Sequence, residues 1–132
     1  MACSPVLSNY LITKFLQVLT DQGTYTSPTT VYLALYTSNP MPANSGTEVS
    51  GGSYARQAIS WATVSGETTS NNANITFPTA TGNWGAITYW ALFDASTSGN
   101  LLMFAPVSVT VTVNSGQSYP VITAGELVMS LQ

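Results

Sequence analysis

The side chains that could do chemistry are few. The 132 residues carry seven formal charges, Lys14, Arg56, Asp21, Glu48, Glu67, Asp94 and Glu126, with no histidine and one cysteine, Cys3. General acid–base catalysis uses histidine or tuned carboxylates, and metal sites use clusters of His, Cys, Asp and Glu. Serine and threonine are abundant but have no histidine base. Asp94 and Glu126 could in principle act as a glycosidase-type carboxylate pair, and the plainer reading is two solvated or capping carboxylates. Cys3 cannot bridge within the chain and has no histidine neighbour to make it a thiolate, so it reads as a spectator. No P-loop, dinucleotide fingerprint or EF-hand loop is present, and the sequon Asn74-Ile75-Thr76 reads as chance. The expectation is a protein without catalytic site, cofactor or metal, working through shape and surface.

Two groups of residues stand out for interaction. Arg56 is one of only two cations and lies in the segment Gly46 to Ala58, GTEVSGGSYARQA. Glu48 sits just across the Gly51-Gly52 turn, so Arg56 is expected to pair with Glu48 or Asp94 and pin a long loop onto a sheet. The alternative is an arginine that reaches a neighbouring subunit. Trp61, Trp84 and Trp90, with seven tyrosines, could form a sugar-stacking platform. Aromatics are equally at home in a β-core or a subunit interface. Trp84, between Asn83 and Gly85 in a turn, is the best candidate for an exposed ring.

Bulk properties narrow the partners. A net charge of −3 with two cations cannot neutralise a phosphate backbone, which argues against nucleic acid. No run of 18 apolar residues suggests a membrane helix. Residues 5–19 lack a basic start and a convincing cleavage site, so they do not read as a signal peptide. With 45% hydrophobic residues the chain is not disordered, and its length fits one domain, 1–132. A surface of Thr, Ser, Asn and Gln repels little and desolvates cheaply. That suits packing against copies of itself or a fixed partner, although a monomeric β-domain could share it.

The elements that must position these residues are mostly strands. Residues 4–22 read as one helix, with Ser4 as N-cap, Pro5 in the first turn and Gly23 as stop. Leu7, Tyr10, Leu11, Phe15, Val18 and Leu19 form its apolar face, which packs on its own domain or docks on a neighbouring subunit. Residues 30–37 and 86–94 are apolar on both alternating sets. Such strands are covered on both sides within the chain, or have one face at a symmetric contact. Residues 54–64 read as an interrupted strand, and 74–77, 101–105, 119–123 and 126–131 as further short strands. Val107, Val109, Val111 and Val113 alternate with Ser108, Thr110 and Thr112, the cleanest strand signal in the chain. Residues 38–53 and 65–74 read as loops. The sum is an antiparallel β-sandwich or barrel of seven to eight short strands with one N-terminal helix.

The run Val31 to Thr37 with Asn39-Pro40, followed by Thr47 to Ala58, resembles a family of small tailed-bacteriophage virion proteins. Ile75 to Ala80, Trp84-Gly85, Phe93-Asp94-Ala95 and Gly99 to Leu102 are similar to the same family, as is the helix. Residues 116–131 match it only loosely. Its members are often labelled tail-fibre or structural proteins. The resemblance implies a non-enzymatic component located in the virion. A compact chain without fibrous repeat favours a capsid decoration or cement protein, contacting itself and the major capsid protein. The alternative is a tail, baseplate or fibre-associated component, and a glycan-binding receptor module is a third reading.

Overall fold

The computed structural model describes residues 5–131. Among them the fold is mainly β, with seven strands in antiparallel sheets and one short helix. The strands are β1 (Val6–Leu7), β2 (Val31–Tyr36), β3 (Gln57–Ile59), β4 (Thr68–Ser70), β5 (Gly85–Phe93), β6 (Leu101–Val113) and β7 (Val128–Ser130); helix α1 spans Asn9–Leu19. Five strands form one sheet in the order β1-β6-β5-β2-β3, and β4 with β7 form a two-stranded ribbon. Neither sheet closes, so the barrel alternative is set aside.

The two doubly apolar segments become the centre of the large sheet. Leu33, Leu35, Trp90, Leu92, Met103 and Ala105 lie on one face of β2, β5 and β6, paired across the ladder as Leu33 with Leu92 and Leu35 with Trp90. They join Ile75, Phe77, Trp84, Tyr119, Ile122 and Leu127 in the main core. Ala34, Tyr36, Ala91, Phe93, Leu101 and Phe104 form a second buried cluster. The loop between β2 and β3 lies against it, since the Tyr36 hydroxyl donates to Asn44 Oδ1. Both sets of side chains are therefore buried by the chain itself. The alternative that left one face of these strands for a symmetric contact does not hold for the buried positions.

The sequence expectations for α1 are corrected at both ends. Pro5, expected in the first turn, is not helical, and Val6 and Leu7 pair instead with Phe104 and Met103. Ser8 is the N-cap: its Oγ accepts from the Leu11 amide and donates to the Leu101 carbonyl, and it is almost fully buried. Ser4, expected to cap, and Cys3 lie outside the described residues. The stop is not Gly23. Asp21 takes the left-handed conformation at φ 56°, Gln22 N donates to Gln17 O, and Asp21 N to Val18 O. That is the bonding of a Schellman cap, here without glycine.

The cleanest strand signal is also reshaped. Residues 101–105 and 107–113 form one strand, β6, but its register with β5 slips between Tyr89–Pro106 and Ile87–Val111. Thr88 thus stands opposite four residues, 107–110, and Val109 points to solvent, 70% exposed. Perfect alternation does not reveal a bulge, because it says nothing about the partner strand. The expected strands at 74–77 and 119–123 contract to one bridge, Ile75 with Ile122. Part of the expected loop 65–74 pairs as β4 with β7.

Asn71 fixes the C-terminal segment beneath the sheet. It is 1% exposed, its Nδ2 donates to Ala73 O and Thr123 O, and its Oδ1 accepts from Leu127 N. Asn74 Oδ1 accepts from Ala124 N, and Glu126 closes the following turn by accepting from the Thr123 amide. Asn74 of the sequon thus has a structural use, and Glu126 is a turn cap.

Candidate functional site

Glu48, Arg56 and Asp94 converge where β2, β3 and the β5–β6 hairpin meet. The chain leaves β2, crosses in a loop, and returns so that residues 47–49 run beside the end of β2: Thr37 N donates to Thr47 O and Val49 N to Leu35 O. Gly51, Gly52 and Ser53 then take φ values of 72°, 56° and 64°. Three successive left-handed residues reverse the chain tightly, which is why two of them are glycine. The reversal brings Arg56 back over Glu48.

The pair is bidentate. Arg56 Nε donates to Glu48 Oε1 at 2.8 Å and Nη2 to Oε2 at 2.7 Å. Its Nη1 donates to the carbonyls of Ala95 at 2.9 Å and Ser98 at 2.8 Å, in the turn of the β5–β6 hairpin. The guanidinium lies 3.6 Å from the centre of the Phe93 ring, a cation–π stack. The side chains are only 7% and 24% exposed for Arg56 and Glu48. Four of the five guanidinium protons thus have acceptors inside the chain. The alternative of an arginine reaching another subunit is corrected, because these contacts are all internal.

Asp94 does not share in the pair. It shapes the turn that Arg56 grips, accepting from the Asn100 amide at 2.7 Å and from Asn100 Nδ2 at 2.8 Å. The three expected residues therefore act as one clasp: Asp94 forms the hairpin turn, Arg56 holds it, and Glu48 neutralises Arg56. A shallow depression of about 330 Å³ lies over it, lined in part by Ser50, Ser96, Thr97 and Ser98. Among the described residues, no group of three or more His, Cys, Asp or Glu is placed to hold a metal ion.

Tyr54 completes the network and Tyr36 lies beside it, stacked on Phe93, and nothing in the sequence singles them out. The Tyr54 hydroxyl donates to Glu48 Oε1 and accepts from the Leu35 amide, each at 3.0 Å. Burial, then the Glu48 charge, pushes the Tyr54 phenol far up, and the same two causes push Tyr36 up to about 12. For Arg56, burial opposes the charge, but the hydrogen bonds and charge of Glu48 outweigh it and raise its pKa. A phenol raised in the folded state favours folding fully below its unfolded pKa of about 10 and loses that contribution as pH rises toward the folded value. Stability in urea melts is therefore expected to fall from about pH 10 upward, before Tyr36 absorbance shows its phenolate.

The tryptophans do not form a platform. Trp84, expected to be the exposed ring, is 4% exposed, and its Nε1 donates to Gly52 O at 2.9 Å. It meets Tyr54 and Phe77 edge to face. The asparagine and glycine around it do mark a turn, but Gly52, 32 residues away, supplies the partner that buries it. Trp90 is fully buried, with its Nε1 unpaired. Trp61 is half-buried beside an apolar groove.

A family model described as "Gp80: Podophage GP4 fiber I protein gp80" matches residues 6–130, nearly the whole described fold. This agrees with the resemblance to tailed-phage virion proteins. It includes residues 116–130, where the resemblance is loosest. No curated protein matches the chain.

Proposed function

The chain belongs to the podophage GP4 fiber I protein gp80 family and is thereby a virion structural protein, and from this membership we propose that it is a non-enzymatic module of the phage's fibre or of its attachment to the tail. The carrying observation is the match over residues 6–130 to a family named for a fibre protein. It supports the tail-side alternative over the capsid decoration expected from compactness alone.

The chemistry is consistent with this reading. The one polar constellation singled out in the β-domain is turned inward: Arg56 bonds Glu48 and the carbonyls of the β5–β6 turn, and Asp94 bonds Asn100 within that turn. A clasp of this kind ties the β2–β3 loop to the β5–β6 turn and keeps both rigid. Its partners on this reading are other virion proteins and further copies of itself.

Gold-labelled antibody against the chain, viewed on intact particles, tests the location. Label confined to the tail end or fibres is the expected result, and label over the whole capsid surface would restore the decoration reading. Copy number from a quantitative gel gives a second measure: a fibre component is present in far fewer copies than the major capsid protein.

A further inference from the structure

We infer that the outer face of α1 is a self-association surface that pairs two copies of this chain antiparallel about a two-fold axis. Of the eleven large apolar side chains exposed among the described residues, five lie on this one short helix: Ile12, Phe15, Leu16, Val18 and Leu19. The domain buries only Leu11 of α1 fully. Ile12, Phe15, Leu16 and Leu19 follow the i, i+3, i+4, i+7 spacing of a helix face, and they are 41%, 36%, 56% and 80% exposed. At about 100° per residue this face points away from Tyr10 and Lys14.

The stripe is its own complement. Its positions are symmetric about the midpoint between residues 15 and 16. An antiparallel partner therefore sets Ile12 against Leu19 and Phe15 against Leu16, twice over, as a two-fold interface requires. The electrostatics favour the same arrangement. Lys14 is the helix's one charge, and its ammonium lies 5.8 Å from the Tyr10 ring, away from the stripe. No like charges meet across the axis. The helix has no acidic residue in its first turn and no basic residue in its last. Its end charges are uncompensated within the helix, and an antiparallel copy sets the positive end of one helix beside the negative end of the other. A parallel copy would oppose like ends.

Size sets the strength. Eleven residues make a helix of about 16 Å. One such face covers well under the roughly 800 Å² per partner of a stable interface. The pairing is therefore weak in dilute solution and fills where copies are concentrated, as in an assembled particle.

Sedimentation of the full chain from about 5 µM to about 1 mM tests this. The expected result is a mass that rises with concentration from 13.9 kDa toward twice that value. Leu16→Glu and Phe15→Lys should each weaken pairing by about tenfold or more. Mixed in equal amounts, they should pair again, because only the antiparallel register brings the new lysine at position 15 against the new glutamate at position 16. Thr13→Glu, exposed but off the stripe, should leave pairing unchanged, and circular dichroism should show every variant folded. If Leu16→Glu misfolds, Leu19→Gln at the most exposed position replaces it in the concentration series, where it should weaken pairing, and the mixing arm is dropped. A monomer at every concentration, a trimer, variants that pair like the parent, or a mixture that does not recover would each overturn the inference.

Discussion

Arg56→Ala is expected to lower the unfolding free energy by about 3–5 kcal/mol and the melting temperature by roughly 10–20 °C. The loss has three sources. Glu48, three-quarters buried, is left without its bidentate partner. The carbonyls of Ala95 and Ser98 lose their donor, so the β5–β6 hairpin turn loses its tie to the β2–β3 loop. Phe93 loses the guanidinium that covers it. Arg56→Lys should recover only a minor part, since an ammonium keeps the charge but not the planar fork that serves Glu48 and two carbonyls together. Because the pair is mostly buried, the parent protein's melting temperature should be nearly insensitive to salt. A double-mutant cycle with Glu48→Ala isolates the coupling. A melting temperature within about 2 °C of the parent's for Arg56→Ala would sink the structural role of the clasp.

The clasp is legible because the sequence is so poor in charge. With one cation in the β-domain and Glu48 eight residues before it, few pairings are open, and the Gly51-Gly52 reversal between them supplies the geometry. Asp94 belongs to the clasp, but through a different contact from the one its charge suggests. It builds the turn whose carbonyls Arg56 takes, and backbone carbonyls leave no mark in a sequence. The doubly apolar strands are equally plain, since a central strand buried on both faces can hardly look otherwise.

The misreadings share a physical cause: each depends on a partner distant in sequence. Trp84 sits in a turn, yet Gly52 O and the rings of Tyr54 and Phe77 bury it. The valines of β6 alternate perfectly, yet the slip opposite Thr88 turns Val109 outward. Leu7 fits the helical spacing, yet pairing with Met103 claims it for β1. The apolar face expected for α1 holds Phe15, Val18 and Leu19, which the domain leaves exposed, but it omits Ile12 and Leu16. Only the fold shows that Ile12, Phe15, Leu16 and Leu19 lie outward.

Asn71 is invisible for the same reason and is the site of the second large effect. In a Thr, Ser and Asn stretch it looks like any loop residue, yet its amide makes three hydrogen bonds inside the protein, two of them to residues more than 50 positions away. Asn71→Asp keeps the shape and the acceptor for Leu127 N but replaces the amide donor with a second carboxylate oxygen. At neutral pH that oxygen faces the carbonyls of Ala73 and Thr123 without a proton to offer. The expected loss is about 2–4 kcal/mol, from an unsatisfied buried group plus a charge with no cation beside it. The pH dependence follows from the same contacts. Burial and the two carbonyls raise the folded pKa of the new acid above its unfolded value of about 3.9. The variant is therefore closest to the parent below about pH 4, where the acid is protonated in both states and can donate to one carbonyl. The gap opens as pH rises from there through the folded pKa. Asn71→Ala also removes the donors but cannot titrate, so its deficit relative to the parent should stay flat with pH. Parallel urea melts of the three proteins between about pH 3 and about pH 8 separate these cases, and a deficit for Asn71→Asp that stays flat or shrinks with rising pH would show that Asn71 does not hold the C-terminal segment through its amide protons.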